Sequence, residues 1–233
     1  MPLKVIPRRD RKLNRLIKAA TQVTYRKGQS IFGRGEEADV VFLVQEGHVR
    51  LTLLRTGEET ERERTVAVAG PGELFGEEAV TNNVPRRYAA VAGSTCVALS
   101  LSGVAVFKAL RGSPKTLGNF LATYDRDLSE ARRIAGSSGS SSRARIADVL
   151  MDLAYRLGDD DGRRIRLEHW FTHQELADLA GAHRSTVTTA INDWIYDGVL
   201  RQRPRALIVT KPGALRKAGS ESSRRRPRKR STR

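Results

Sequence analysis

The first half of the chain has the hydrophobic pattern of a β-sheet protein. Between residues 23 and 101, short runs of β-branched and apolar residues alternate with glycine turns, such as Lys27-Gly28-Gln29 and Gly70-Pro71-Gly72. Short strands at regular spacing, separated by glycine, predict a β-sandwich or barrel. The runs that we expect to form strands are Val23–Tyr25, Ser30–Phe32, Val40–Val44, His48–Leu54, Thr65–Val68 and Ala89–Leu99.

After Ser102 the apolar residues take up helical spacing. Ser113 is a suitable N-cap, and Pro114 fits the first turn of a helix that extends to Ala135. This helix has one apolar stripe between charged residues, so it must bury the stripe against its own domain or against a second copy of itself. We expect the second arrangement, a homodimer. The stripe comprises Leu117, Phe120, Leu121, Tyr124, Leu128 and Ala131.

A helix-turn-helix hairpin is predicted between residues 171 and 200, beyond a Gly/Ser-rich linker. Thr172 and Glu175 have the spacing of a capping box at the start of the first helix. Gly181 provides the tight turn, and the second helix extends from Arg184 to Asp197. An ordinary helical hairpin, in which Gly181 is only a loop residue, would have the same pattern.

The exposed residues of this hairpin suit a DNA duplex. The second helix opens with one arginine among small hydroxyl residues and no acid. The first residues of such a helix touch base edges in the major groove, where arginine bonds a guanine edge bidentately. Arginines of a following two-stranded wing can bind phosphates. The predicted DNA-binding residues are Thr172, His173, Gln174, His183, Arg184, Ser185, Thr186, Thr188, Thr189, Arg201, Arg203 and Arg205.

The distribution of charge supports an anionic partner. The chain of 233 residues has a formal net charge of +16. From Arg216 to Arg233, nine basic residues stand against one acid, so half of the net charge (+8) lies in these last residues. A basic surplus favours binding to nucleic acid through phosphate contacts and counterion release.

Several classes of protein do not fit the sequence. No apolar run approaches the roughly 20 residues that a membrane helix needs, and the N-terminus lacks the apolar core of a secretory signal. We therefore expect a cytoplasmic protein with no membrane partner. The single cysteine, Cys96, cannot form an intrachain disulfide or an iron–sulfur cluster, and we expect it in the core. No catalytic constellation or metal-spaced histidine pair occurs, so we expect neither an enzyme nor a metal site.

Two blocks of sequence resemble the cyclic-AMP receptor protein and fumarate–nitrate regulator family of bacterial transcription regulators. The block FTHQELA to GAHRSTV, residues 171–187, is similar to that family's DNA-reading segment. The block PGELFGEE, residues 71–78, followed by RRYAAV, residues 86–91, resembles the phosphate-binding cassette of cyclic-nucleotide domains. The resemblance covers residues 20–213, nearly the whole chain.

The resemblance implies an α+β fold. It would comprise an N-terminal double-stranded β-helix (jelly-roll) of the cyclic-nucleotide-binding type, a long dimerisation helix and a C-terminal winged helix-turn-helix. The expected domains are a β-roll sensor at 1–112, the dimerisation helix at 113–136, the linker at 137–142, the DNA-binding domain at 143–213 and a basic disordered tail at 214–233.

The resemblance also implies an effector pocket. In that family, a glycine in the position of Gly76 lets backbone N–H groups approach an anion, an arginine in the position of Arg87 pairs with the cyclic phosphate, and a carboxylate in the position of Glu77 accepts from the ribose. Tyr88 stands where cAMP-binding members have serine or threonine, and it can fill the pocket instead. Three interpretations follow: a degenerate cassette with an internal Glu77–Arg87 ion pair, a cAMP site, or a site for another small effector. The implied pocket residues are Gly76, Glu77, Glu78, Arg87, Tyr88 and Ala89.

We therefore predict a sequence-specific transcription regulator that binds double-stranded DNA as a homodimer on near-palindromic promoter sites, with no obligatory effector. The first alternative is a regulator of the same family gated by cAMP or another small effector. The others are a largely non-specific nucleoid-type DNA binder and a cyclic-nucleotide module whose main partner is a protein. Activation of transcription would add a contact with RNA polymerase. Oxygen sensing would need a set of cysteines, which the sequence lacks, and the four histidines are too scattered for haem ligation.

Overall fold

The computed structural model describes residues 3–4, 11–55, 62–80, 84–115, 117–118, 121, 141–167, 171–204 and 206–220. The chain divides into two compact units, Met1–Arg133 and Ile134–Arg233. Among the described residues, no helix is both long enough and apolar enough to cross a membrane.

The first unit is built on two antiparallel sheets. Its strands are β1 (Leu3–Lys4), β2 (Thr21–Tyr25), β3 (Ser30–Phe32), β4 (Val40–Glu46), β5 (Val49–Arg55), β6 (Arg62–Ala69), β7 (Glu73–Phe75), β8 (Ala89–Ala92) and β9 (Cys96–Ser102). One sheet has the order β1-β7-β4-β9-β2 and the other the order β3-β8-β5-β6. The described part of this unit also contains two short helices, α1 (Arg11–Lys18) and α2 (Gly103–Arg111), and a 3-10 helix at Glu77–Val80.

Strand β4 is apolar along most of its length because both of its faces are covered. Phe42 and Val44 belong to an inner cluster that also contains residues of the second sheet. The alternate residues, Val41 and Leu43, belong to an outer cluster with side chains of α1 and α2. A strand buried on both faces has a continuous hydrophobic run rather than an alternating one. Cys96 lies in the inner cluster with no solvent exposure, as expected.

The run 89–99, which we expected to be one strand, forms two strands in different sheets. β8 pairs with β3 and β5, whereas β9 pairs with β2 and β4. The chain crosses between the sheets at Gly93, whose N–H donates to the carbonyl of His48 at 2.9 Å. A Cβ on Gly93 would lie 2.2 Å from the Nε2 atom of His48, so only glycine fits this crossing.

The predicted dimerisation helix begins where the sequence places it. Residues 114, 115, 117, 118 and 121 are helical, and the N–H of Leu117 donates to the carbonyl of Ser113 at 3.0 Å. Leu117 and Leu121 are exposed in the single chain, at 39% and 54%. The other four residues of the predicted stripe, Phe120, Tyr124, Leu128 and Ala131, lie outside the described residues.

The second unit packs four helices on one four-stranded antiparallel sheet. The helices are α3 (Ser142–Leu157), α4 (His173–Ala180), α5 (Arg184–Tyr196) and α6 (Pro212–Ser220). The strands are β10 (Asp159–Asp160), β11 (Ile165–Leu167), β12 (Leu200–Arg203) and β13 (Ala206–Val209), in the order β10-β11-β13-β12. The core contains Ile146, Leu150 and Leu153 of α3 and Ile165 of β11, all fully buried. This is the predicted α+β fold with a C-terminal winged helix-turn-helix.

The boundaries of this unit differ from the predicted ones at both ends. Ser142, assigned to the linker, is the first residue of α3, and the hydroxyl of Ser141 caps the helix by accepting from the N–H of Ala144 at 3.2 Å. Residues 214–220, assigned to a disordered tail, belong to α6. Leu215 is fully buried, and Gly219 approaches α3 so closely that a Cβ would lie 2.2 Å from the carboxylate of Asp148. Tertiary burial, which a basic local sequence does not reveal, makes this segment a helix.

Candidate nucleic-acid interface and sensor cassette

The first helix of the hairpin, α4, has the predicted capping box. The hydroxyl of Thr172 accepts from the N–H of Glu175 at 3.1 Å, and the carboxylate of Glu175 accepts from the N–H of Thr172 at 2.7 Å. These two bonds satisfy backbone donors that the first turn of a helix otherwise leaves unpaired. The start of the hairpin is therefore fixed by residues only three positions apart.

The turn of the hairpin is held from α3. Gly181 ends α4 in the left-handed region at φ +57°. The guanidinium of Arg145 donates to the carbonyl of Ala180 at 2.8 Å and to that of Gly181 at 2.9 Å. A cation at the C-terminus of a helix satisfies free carbonyls and complements the helix dipole. Arg145 thus positions the turn before the second helix.

The second helix, α5, is anchored by its apolar face. Val187, Ile191 and Trp194 are buried against the rest of the unit. Arg143 of α3 forms a salt bridge with Asp193, and its guanidinium lies 4.9 Å from the centre of the Trp194 ring. The opposite face of α5 is therefore left free for a partner, and its orientation is set by contacts with α3.

The N-terminal part of α5 exposes the residues predicted to enter the major groove. His183, Arg184 and Ser185 are exposed, and no group in the described part of the chain hydrogen-bonds the guanidinium of Arg184. The hydroxyls of Thr188 and Thr189 donate back to the carbonyls of Arg184 and Ser185, at 3.0 and 3.1 Å. The hydroxyl oxygen of Thr189 remains available as an acceptor, whereas that of Thr188 already lies 2.8 Å from Nδ1 of His173. Arg184 offers free donors.

Two predicted DNA contacts on α4 are bonded within the hairpin. The Nδ1 atom of His173 lies 2.8 Å from the hydroxyl oxygen of Thr188, which links the two helices. Desolvation by burial, together with the nearby charge of Arg184, lowers the pKa of His173 below its ordinary value. The amide of Gln174 donates to the carboxylate of Asp178 at 2.9 Å. Thr186 is half-buried, so it is less open to a partner than Ser185.

The predicted wing consists of β12 and β13. Leu200 of β12 pairs with Val209 of β13, and both side chains face the core. Arg201 and Arg203 are exposed on β12. Arg205 lies outside the described residues. The wing thus places at least two arginines in solvent beside the hairpin.

The cassette in the first unit surrounds a buried arginine, and this arginine is Arg86 rather than Arg87. Its Nη1 atom donates to the carbonyl of Gly76 at 2.8 Å, and its Nη2 atom donates to that of Val40 at 2.6 Å. The guanidinium also lies 3.6 Å from the carboxylate of Glu78 and 4.1 Å from the centre of the Phe32 ring. Arg86 is only 4% exposed.

The implied roles of the other cassette residues change accordingly. Arg87 is exposed, and within the described residues only its backbone N–H is bonded, to the carboxylate of Glu78 at 3.1 Å. The internal ion pair expected between Glu77 and Arg87 is instead formed by Glu78 and Arg86. Burial raises the pKa of Glu77.

Gly76, Ala89 and Tyr88 are the remaining residues of the implied pocket. Gly76 has the left-handed φ of +75° that the cassette turn requires, and Ala89 begins β8. Tyr88 is half-buried and packs against the inner cluster.

Comparison with known proteins identifies both units. Residues 22–113 match the cyclic nucleotide-binding domain family, and residues 144–218 match the Crp-like helix-turn-helix domain family. The cyclic AMP receptor protein of Thermus thermophilus is 33% identical over 192 residues, which cover 82% of this chain and 84% of that protein. The chain belongs to the cyclic-AMP receptor protein and fumarate–nitrate regulator family. It is therefore a transcription regulator with a helix-turn-helix DNA-binding domain.

Other members of this family share the same architecture. A CRP-like cAMP-activated global transcriptional regulator from Mycobacterium tuberculosis is 26% identical over 196 residues, covering 84% of this chain and 86% of that protein. The structure of FixK2 from Bradyrhizobium japonicum has a TM-score of 0.73 at 23% identity, and covers 85% of this chain and 96% of that one. The likeness to FixK2 concerns the fold alone.

The buried arginine of the cassette is bonded within the chain. The Nη1 and Nη2 donors of Arg86 are directed at carbonyls of the chain itself, and the carboxylate of Glu78 supplies the opposing charge. A Cβ at Gly76 would lie 2.5 Å from the Nη1 atom, so the guanidinium fills the space beneath the glycine turn. The ion pair of Arg86 with Glu78 thus forms part of the described core of the cassette.

Sequence reasoning did not single out three polar residues that lie in or beside these candidate sites. The sequence could not show which of Arg86 and Arg87 is buried, because two adjacent arginines differ only in the direction in which the backbone points each side chain. Asn192 and Tyr196 are exposed on α5, and Tyr196 is 92% exposed. Their spacing of seven and eleven residues from Ser185 is the signal that would have found them, since such residues share one face of a helix.

Proposed function

We propose that this chain is a homodimeric transcription regulator that binds near-palindromic promoter sites in the cytoplasm and needs no small-molecule effector. It acts through DNA contacts of α5 and the wing rather than by catalysis. The interface consists of the DNA-binding residues that the sequence predicts on the hairpin, together with Arg201, Arg203 and Arg205 of the wing. The side chains of His173 and Gln174 are bonded within the hairpin, so these two residues position their neighbours instead of donating to DNA.

The observation that supports effector independence is the bonding of Arg86. The Nη1 and Nη2 atoms of Arg86 donate to two carbonyls of the chain itself and face the carboxylate of Glu78, so these donors are not free for an anionic ligand. Of the guanidinium nitrogens of Arg86, only Nε has no hydrogen-bond partner among the described residues. Replacing the carboxylate of Glu78 by a ligand's phosphate would break a buried ion pair, which is strongly unfavourable. The cassette is therefore held in one arrangement by protein groups.

The exposed apolar residues at 117 and 121 support the homodimer. Leu117 and Leu121 begin the stripe that continues along the sequence to Ala131. A helical stripe of this kind becomes buried when two copies pack together. Two recognition helices on a dimer would then enter successive major grooves about 34 Å apart.

Selection of binding sites from random duplex DNA, with and without cAMP at near-physiological salt, tests the proposal. We expect the same inverted repeat in both arms. A repeat that is selected only with cAMP would overturn effector independence and leave the DNA-binding function intact. Selection of no repeat in either arm would favour the non-specific nucleoid-type alternative.

A cAMP-gated regulator is the second candidate, and the exposed side chain of Arg87 favours it. The guanidinium of Arg87 forms no hydrogen bond or salt bridge with a described residue, although its charge acts on the nearby carboxylate of Glu77, so its donors are free to meet an anion. Calorimetric titration of the full chain with cAMP, repeated with Arg87→Gln, addresses this candidate. Saturable binding that is lost in R87Q would establish it, and absence of binding to the wild type would exclude it. An activator would also contact RNA polymerase.

A further inference from the structure

One face of α5 carries four exposed polar residues along its whole length. At 100° per residue, Ser185, Thr189, Asn192 and Tyr196 fall within about 60° of one another. All four are exposed, whereas Val187 and Trp194 on the opposite side are buried. We call these four residues the reading strip. It extends the predicted groove-facing surface two further turns toward the C-terminus of the helix.

Within the reading strip, Asn192 has the side chain best able to recognise a base. The hydroxyl of Thr189 donates its hydrogen to the carbonyl of Ser185, so it can only accept. The amide of Asn192 bonds to no protein group in the described part of the chain and is free both to donate and to accept. Asn192 is thus the residue on the strip with an unused donor and acceptor side by side.

The surroundings of Asn192 favour an anionic duplex. The neighbouring acid, Asp193, points to the side of the strip and is paired with Arg143. Arg184 lies at the start of the same helix, with a guanidinium that bonds to none of the described residues. The strip itself contains no acid, so nothing on this face repels the phosphates that border a major groove.

We propose that Asn192 is a specificity-determining residue that reads an adenine in the major groove. An asparagine amide pairs bidentately with the N6 donor and N7 acceptor of adenine, a pattern that no other base presents there. Asn192 is eight residues, or about 12 Å, beyond Arg184 along the helix, which corresponds to roughly three base pairs. The adenine therefore lies in the same half-site as the guanine assigned to Arg184. This inference rests on the proposed sequence-specific function.

Site selection with three variants of the full chain tests the assignment. Asn192→Ala should lose preference at one position of each half-site and keep the rest of the repeat. Asn192→Asp keeps the shape but can only accept, so the preferred base should change to cytosine, whose N4 group donates. Gln22→Ala, which removes an exposed amide from β2 of the first unit, serves as the matched control and should select the wild-type site.

A second measurement separates base recognition from loss of folding. Replacing the adenine by 7-deazaadenine, which lacks the N7 acceptor, should weaken wild-type binding about tenfold. The same replacement should leave the affinity of Asn192→Ala unchanged. An equal loss in both proteins, or an unaltered selected site with N192A, would overturn the role of Asn192. Failure of the wild type to select any site would instead refute the sequence-specific function on which it rests.

Discussion

The guanidinium of Arg86 and the carboxylate of Glu78 lie 3.6 Å apart, and both side chains are buried. Removing one partner of such a pair leaves a buried charge without its opposite, which typically costs about 3–5 kcal/mol. We therefore expect Glu78→Gln to lower the free energy of unfolding of the first unit by an amount of this order. Scanning calorimetry of the full chain measures the loss. Both tryptophans, Trp170 and Trp194, belong to the second unit, so their fluorescence shows whether that unit is unaffected.

The double variant E78Q/R86M distinguishes a coupled pair from two independent contacts. If the two charges stabilise each other, the double variant should lose less free energy of unfolding than the two single variants lose in sum. Additive losses would contradict the pairing. If DNA binding by both single variants became dependent on cAMP, the ion pair of Arg86 and Glu78 would also be the feature that makes the wild-type protein independent of an effector.

Arg184→Ala tests the predicted direct contact with guanine. The guanidinium is exposed at the start of α5, where base contacts of this motif concentrate. We expect a loss of about 1–3 kcal/mol in binding the selected site and relaxed preference at one base pair. Quantitative binding to a panel of single-base variants of that site provides the measurement. An equal loss on every sequence would show that Arg184 binds phosphate instead.

His173 makes the stability of the second unit dependent on pH. Its pKa lies below the ordinary value of 6.5 because burial and Arg184 disfavour the charged form. The unfolded chain therefore takes up the proton first, so the stabilisation is complete above about pH 6.5 and declines as the pH falls below it. We expect the unfolding midpoint, followed by tryptophan fluorescence, to fall between pH 7 and about pH 5.

The control for this pH dependence is a pair of asparagine variants. His173→Asn keeps an N–H donor toward Thr188 but does not titrate, so its midpoint should vary less with pH than that of the wild type. His183→Asn changes an exposed histidine and should retain the wild-type slope. If H173N and the wild type had the same slope, another group would be responsible.

Local signals in the sequence were enough to predict the hairpin. Thr172 and Glu175 interact across three residues, and Gly181 has the left-handed conformation that ends a helix. The strands of the first unit were likewise indicated by glycine turns and apolar runs. Such features depend on neighbours along the chain, so one sequence reveals them.

Features that depend on tertiary contacts could not be predicted in the same way. Whether Arg86 or Arg87 faces the interior depends on contacts with the distant residues Gly76 and Val40, which two adjacent identical residues do not reveal. A disordered tail was predicted where α6 forms, because the basic residues of this helix conceal one buried side chain, Leu215. The contact of Arg145 with the turn joins residues 35 and 36 positions apart.

Gly181→Ala measures the cost of the left-handed turn. A Cβ at this position would meet no atom within 4 Å, so any loss comes from the backbone conformation at φ +57°. We expect a loss of about 1–2 kcal/mol in the stability of the second unit. Gly213→Ala is the matched control, because a Cβ at Gly213 also meets open space but the backbone there has no positive φ. This variant should leave the stability unchanged or raise it. Equal effects of G181A and G213A would contradict the argument.

The basic residues after α6 are expected to add affinity without sequence preference. Residues 221–233 contain seven basic residues and one acid, a net charge of +6. The cut belongs after Ser220, because an earlier one would shorten α6, which contains the buried Leu215 and the close contact of Gly219 with α3. Deleting residues 221–233 should reduce the slope of log affinity against log salt by about 0.9 for each phosphate that the shortened protein no longer neutralises. The selected repeat should stay the same, and a changed repeat would show that these residues read bases. Loss of all binding on truncation would mean that the charge of this segment, rather than α5, drives association with DNA.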